Sequence, residues 1–243
     1  MNYKKAGPVV IVLLIIAAAV VFKLAHFFKP SHGKPAGLVA LWAGDANDSV
    51  GGDGATFNDI SFEKGKVGRA YSFNGSTSWI KLPASRSLDI GAGRGFTIEC
   101  WIMPSAFDVD VSGAPIIEWD SETTDGMQLW SGGELFANLK DTSGRAHNIN
   151  LPGLTLSTNE FQHVALTYDK SSGHAIIYYN GTMVTNVFLG SIIPQTTYPV
   201  NIGKRTGQPI GLNDTYGGLI DGLSIYNRAL SASEIRAIYR KAR

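Results

Sequence analysis

Residues 218–235 read GLIDGLSIYNRALSASEI, an apolar, strand-like run that carries one carboxylate, Asp221, and then breaks into a short helix. The break is written locally. Ser231 and Glu234 stand at N-cap and N3 of a capping box, each side chain placed to accept from the other residue's amide. Leu230 and Ile235 occupy the hydrophobic-staple positions, and Ile235, Ile238 and Tyr239 give the helix one apolar stripe. Arg236, Arg240 and Lys241 face away from that stripe, and the basic end complements the helix dipole. So short an amphipathic helix is expected to dock as a lid on the edge or rim of whatever precedes it.

What precedes it is a string of short runs: LVALW, RAYSFNG, SWIKLP, FTIECWIMP, PIIEW, MQLW, LFANLK, FQHVALTYD, AIIYYNG, MVTNVFLG and VNIG. Turn residues separate them. FNGSTSWI and YYNGTMV carry Asn-Gly pairs suited to the positive φ angles of tight hairpins, and KSSGHA joins two further runs. About a dozen short strands without a helical period between them predict an all-β chain, a sandwich of two antiparallel sheets over residues 37–243. The 28 glycines and 10% aromatic content agree with this class. Cys100, the single cysteine, lies in FTIECWIM and reads as a buried strand position.

The first 28 residues differ from the rest. PVVIVLLIIAAAVVF, residues 8–22, holds no charge, Lys4 and Lys5 precede it, and the run to Phe28 gives a helix of about 30 Å, enough to cross a bilayer. An uncleaved anchor is expected, because Val20-Val21-Phe22 continues the apolar run and Lys23 can snorkel; cleavage after Ala17-Ala18-Ala19, giving a secreted protein, is the alternative. Lysines on both sides encode orientation weakly. Residues 29–36, KPSHGKPA, form a Pro/Gly linker. A formal net charge of +1 with 17% charged residues leaves no basic stripe for nucleic acid.

GKVGRAYSFNGSTSWIKLP, FTIECWIMP, FQHVALTYDKSSGHAIIYYNGTMV and GGLIDGLSIYNRALSASEI together resemble the laminin-G-like jelly-roll domains of the concanavalin A-like lectin/glucanase superfamily, over about residues 37–240. The resemblance implies a jelly-roll sandwich. It also implies a domain outside the cytoplasm that binds glycan or protein, and a structural calcium on Asp221. Asp45, Asn47 and Asp48 of the GDANDS turn would then supply further oxygens toward the six to eight that calcium takes. The chain departs from the family's pattern in three places: Phe161 stands before His163-Val164-Ala165 where Trp is usual, Gly222 follows Asp221 in place of a second acid, and Asn74 replaces Asp. The last two remove charge a cation would use, so Asp221 as a cap on backbone amides is the competing reading.

Three further sets of residues bear on chemistry. Glu118, Asp120 and Glu122 in IIEWDSE share the Glu-x-Asp-x-Glu spacing of the superfamily's retaining glucanases, whose two catalytic carboxyls lie about 5 Å apart. TTDG follows at once, however, and places the triplet at a strand end as a solvated acidic rim rather than as a catalytic site. Trp79, Trp119, Trp130, Tyr198 and Tyr216 are candidate sugar platforms; Trp119 and Trp130, beside turns, are the ones expected to be exposed, whereas Trp101 and Trp42 are expected in the core. His163 and His174 flank one hairpin and read as structural. The expectation is a non-catalytic, membrane-anchored binding module. A glycoside hydrolase and a structural envelope protein that binds other proteins are the alternatives.

Overall fold

The computed structural model describes residues 35–44, 54–105, 113–132, 134–206 and 215–242, and Gly37–Arg243 is one compact unit. The helix expected over 1–28, linker residues 29–34, and Asp45, Asn47 and Asp48 lie outside the described residues. No helix of the described residues is long and apolar enough to cross a membrane.

The described strands are β1 (Leu38–Trp42), β2 (Thr56–Asn58), β3 (Ser61–Lys64), β4 (Arg69–Asn74), β5 (Trp79–Leu82), β6 (Gly95–Pro104), β7 (Ala114–Ser121), β8 (Thr124–Ser131), β9 (Phe136–Leu139), β10 (Asn148–Asn150), β11 (Gln162–Asp169), β12 (His174–Tyr179), β13 (Thr182–Phe188), β14 (Val200–Ile202) and β15 (Gly217–Tyr226). They form two antiparallel sheets. One runs β13-β12-β11-β6-β15-β4-β3, with β1 also on β15; the other runs β10-β9-β8-β7-β14-β5-β2. The single described α-helix, α1, spans Ala232–Lys241. The all-β two-sheet sandwich with a short C-terminal helix is therefore as read from the sequence.

The core lies between the sheets. On β6, Phe96, Ile98, Cys100 and Ile102 point inward with Val164, Leu166 and Tyr168 of β11, and they meet Ile117, Trp119, Leu129, Val200 and Ile202 of the other sheet. Alternation on β6 sends Thr97, Glu99 and Trp101 to the opposite face. Trp101 is buried as expected, but beneath α1 rather than inside the sandwich: it stacks on Tyr239 with ring centroids 5.5 Å apart and meets the His163 ring edge-on. His163 Nε2 lies 3.1 Å from Glu99 Oε2, the structural role expected of it.

Helix α1 has both bonds of the capping box, and Glu234 also forks onto Arg228 at 2.7 and 3.1 Å. Its stripe does not sit on a sandwich edge. Ile235 and Leu230 pack with Leu38, Ala165, Tyr178 and Tyr226 on the outer face of the eight-stranded sheet, where these side chains form a second apolar cluster apart from the core.

One expected hairpin is absent. YYNGTMV closes β12 onto β13, with Asn180 and Gly181 at φ +48° and +73°. FNGSTSWI instead carries the chain from one sheet to the other, since β4 pairs β15 and β5 pairs β14. Asn74 Oδ1 accepts the N–H groups of Ser76, Thr77 and Ser78, so this Asn-Gly builds a side-chain-stapled corner.

Candidate functional site

Strand β7 lies in the middle of its sheet, between β8 and β14. Ile117 and Trp119 enter the core, so alternation turns Glu118 and Asp120 to the sheet's outer face. Register then sets a polar row across six strands: Lys81, Asn201, Glu118, Gln128, Asn138 and Asn148 stand opposite one another in turn. Beside it runs a second row, Trp130, Phe136 and Asn150.

The expected acidic rim is thus corrected. Glu118 and Asp120 are 0% and 1% exposed, and only Glu122 sits in the open turn between β7 and β8. The turn signal was sound, but β14 pairs along β7's other edge and Arg205 and Thr206 close over the acids.

Each buried acid has its own partners. Glu118 Oε2 accepts the Trp130 indole N–H at 2.9 Å and Oε1 accepts from Gln128 at 3.4 Å; Arg205 Nε stands 3.8 Å away. Burial pushes the Glu118 carboxyl up to about 8, against the pull of Arg205, so it is mostly protonated at neutral pH. Asp120 accepts from the Thr206 backbone N–H at 2.7 Å and from the Asn201 amide and Thr206 hydroxyl. Asp125 takes Lys140 Nζ at 2.7 Å and Gln128 at 3.1 Å, and Arg205 Nη2 approaches it to 3.8 Å. A carboxyl raised by desolvation is a mark of many catalytic acids. Here, however, Glu122 lies outside the network in the exposed turn, so the two glutamates of the triplet do not share an environment.

The two tryptophans fare differently. Trp119 is not exposed: it is fully buried, its N–H donating to the Leu88 carbonyl at 3.0 Å, because its position on β7 faces the core. Trp130 is half-buried, on the outer face, with the Arg205 guanidinium 5.2 Å over its ring and Phe136 edge-on at 6.4 Å. Tyr216 is buried, Tyr198 packs against the core, and Trp79 is half-buried.

Asp221 answers the opening stretch. Strand β15 keeps β6 on one edge throughout but changes partner on the other, from β4 along Gly217–Ile220 to β1 along Leu223–Tyr226. Gly222, at φ +62°, makes the bulge at the handover. Asp221 Oδ2 accepts the Val67 N–H at 2.9 Å, with Lys66 and Gly222 N–H also directed at the carboxylate, tying the β3–β4 turn to this junction. Burial raises its carboxyl above the ordinary value. No group of three or more His, Cys, Asp or Glu able to hold a metal occurs among the described residues. The described donors alone therefore fall short of a calcium site: one carboxylate, already engaged by N–H groups that a cation would displace.

Asn201, Gln128, Asp125, Lys140 and Arg205 were not singled out from sequence. Their strands were legible, but no local motif links five residues that only cross-strand register and one loop bring together.

Residues 74–236 match the profile of the Concanavalin A-like lectin/glucanases superfamily. No curated protein matches the chain. Among solved structures, the binding domain of Paraclostridial Mosquitocidal Protein 1 superposes with a TM-score of 0.68 at 18% identity, over 84% of this chain and 52% of that one. The binding domain of botulinum neurotoxin serotype D/C gives 0.67 at 14% identity, over 85% and 52%. A botulinum neurotoxin type C structure, whose cell entry depends on interaction with two ganglioside molecules, gives 0.66 at 14%, over 85% and 51%. This chain spans about half the length of each, and at such identities the likeness is one of fold. The profile covers most of the sandwich, including the Asp221 strand and the capped start of the helix that follows it: the chain belongs to the concanavalin A-like lectin/glucanase superfamily.

Proposed function

We propose that the domain is a non-catalytic binding module for a glycan or protein, held outside the cytoplasm by the apolar N-terminal segment. The observation that carries the reading is the corner of the outer face where Trp130 and Phe136 adjoin Gln128, Asn138 and the exposed Asn148 and Asn150. Aromatic faces flanked by amides suit sugars, whose C–H faces stack while their hydroxyls pair with amide donors and acceptors. Gln128 and Asn138 are spoken for inside the fold, so Asn148, Asn150 and the Phe136 ring would meet the ligand. That the toxin structures of the same fold are binding domains supports a binding role.

A glycosidase acting through Glu118, Asp120 and Glu122 is the weaker reading. Retaining hydrolysis needs two carboxyls about 5 Å apart with one ionised as nucleophile. Glu118 is sealed under Trp130 and Gln128, and Asp120 is committed to Asn201 and Thr206. Calcium bound by Asp221 with Asp45, Asn47 and Asp48 is proposed as a structural adjunct.

The test is a glycan array probed with the full chain in detergent, beside Phe136→Ala. A bound glycan whose affinity falls at least about tenfold on losing the ring, about 1.4 kcal/mol, supports the assignment. Unchanged binding moves the site elsewhere, and hydrolysis of any array glycan refutes the non-catalytic reading.

A further inference from the structure

Helix α1 buries one side and leaves the other bare. Ile235, Ile238 and Tyr239 turn to the sheet, while Ser233, Arg236, Ala237, Arg240 and Lys241 are exposed and line a shallow hollow on the far side. Ser233 and Ala237 are small, so the hollow opens between the cations. The helix's own acid does not neutralise it, because Glu234 turns back to Arg228 and to the N-cap amide. Among the described residues, Arg236, Arg240 and Lys241 have no ion-pair partner. An apolar side chain flanks them. Met183 of β13 stands opposite Tyr178, one of the side chains clustered with α1, so it lies on the same face of the sheet, and it is 53% exposed.

The place of this surface in the chain narrows what covers it. Gly37 begins the compact unit; its carbonyl accepts the Asn227 N–H at 2.9 Å, and Leu38 pairs with Tyr226 in the cluster that holds Ile235. The chain thus enters the sandwich at the foot of α1. Only residues 29–36 separate that point from the apolar run ending at Phe28, and eight residues reach at most about 28 Å when fully extended.

We infer that the exposed face of α1 rests on the anionic phospholipid head groups of the membrane that holds the N-terminal segment, an inference that builds on the anchoring proposed above. Guanidinium groups suit phosphodiesters, which they grip through paired N–H donors. Cations beside a negative leaflet also gain from its surface potential. Met183 adds an apolar contact at head-group level, and cations edged by apolar side chains are the combination that lies in a membrane interface. An acidic protein or a soluble polyanion would match the same charges, but the tether brings only the bilayer within reach. Docking on this side turns the outer face of the other sheet, with Phe136, Asn148 and Asn150, toward the solution from which a ligand arrives.

The experiment uses the full chain, reconstituted in phosphatidylcholine vesicles with and without phosphatidylglycerol. Cys100 is buried, so a fluorophore attaches at a single introduced thiol: Ala237→Cys on α1, or Thr123→Cys in the turn between β7 and β8 of the other sheet. Spin-labelled head groups should quench the probe at 237 in anionic vesicles and much less in neutral ones, and the probe at 123 in neither. Arg236→Gln combined with Arg240→Gln should lower the docked-to-free ratio roughly thirtyfold, or about 5.5-fold for each cation, and high salt should weaken docking of the unsubstituted helix. Both arginines are exposed, so the melting temperature should stay where it is. Flotation with neutral vesicles at high salt reports the anchor by itself: a chain that fails to float refutes the anchoring and the docking with it. A chain that floats but shows no quenching at 237, equal quenching in both lipids or at both positions, indifference to the two glutamines, or an α1 probe shielded by a soluble polyanion in place of lipid would overturn the docking alone.

Discussion

Glu118 makes the fold's stability depend on pH in a direction opposite to that of an ordinary paired carboxylate. Its carboxyl rises from 4.5 to about 8 on folding, chiefly through burial between β8 and β14 beneath Arg205. The folded state therefore holds a proton that the unfolded chain releases. Its stabilising effect is complete below pH 4.5 and is lost as pH climbs through 8. At about 1.4 kcal/mol per unit, the whole shift amounts to roughly 5 kcal/mol, of which about half falls between pH 6 and pH 9. Glu118→Gln keeps the shape of the neutral acid and cannot ionise. Urea unfolding at pH 6, 7.5 and 9 should show the wild-type midpoint dropping by about 1 M over that range and the variant's dropping much less. Parallel profiles for the two proteins would refute the reasoning, because they would mean that Glu118 is ionised and compensated in the folded state.

Asp221→Ala should cost about 2–4 kcal/mol, since the amides of Val67, Lys66 and Gly222 lose a shared buried acceptor. Chelator added to the wild type tests calcium separately: a lowered melting temperature that vanishes in Asp221→Ala supports the ion, and identical melting curves dismiss it. Ser231→Ala removes the N-cap and should cost about 1 kcal/mol, read by thermal melting; a larger loss would mean that α1 organises the sheet beneath it. Two glycines separate backbone strain from crowding. Gly222→Ala meets nothing within 4 Å and should cost about 1 kcal/mol for its positive φ, whereas a Cβ at Gly203 would lie 2.3 Å from the Phe73 ring and should cost at least about 3 kcal/mol; equal losses by chemical denaturation would contradict this geometry.

Local chemistry was read well wherever partners are near in sequence. The capping box and staple of α1 need only residues 230–235, and the Asn180-Gly181 hairpin needs only the pair itself. Asn74-Gly75 carries the same signal and does something else, because whether a turn returns a strand to its neighbour or sends it to the other sheet depends on distant pairing partners. The acids show the same limit. A turn after Glu122 is visible in TTDG, but the strand that pairs β7 on its far edge lies some eighty residues away in sequence.

The sequence by itself determined the class, the periodic runs that become strands, the capped helix and the family, since all of these are encoded in residues close together along the chain. Tertiary structure alone decided which side of each strand faces core or water, and with it the burial of Trp119, the stacking of Trp101 on Tyr239, and the sealing of Glu118 and Asp120. It also decided that Asp221 stands at the point where β15 exchanges β4 for β1. The physical reason is that burial and proton affinity depend on everything surrounding a group, and in a sandwich most of those surroundings come from strands far apart in sequence.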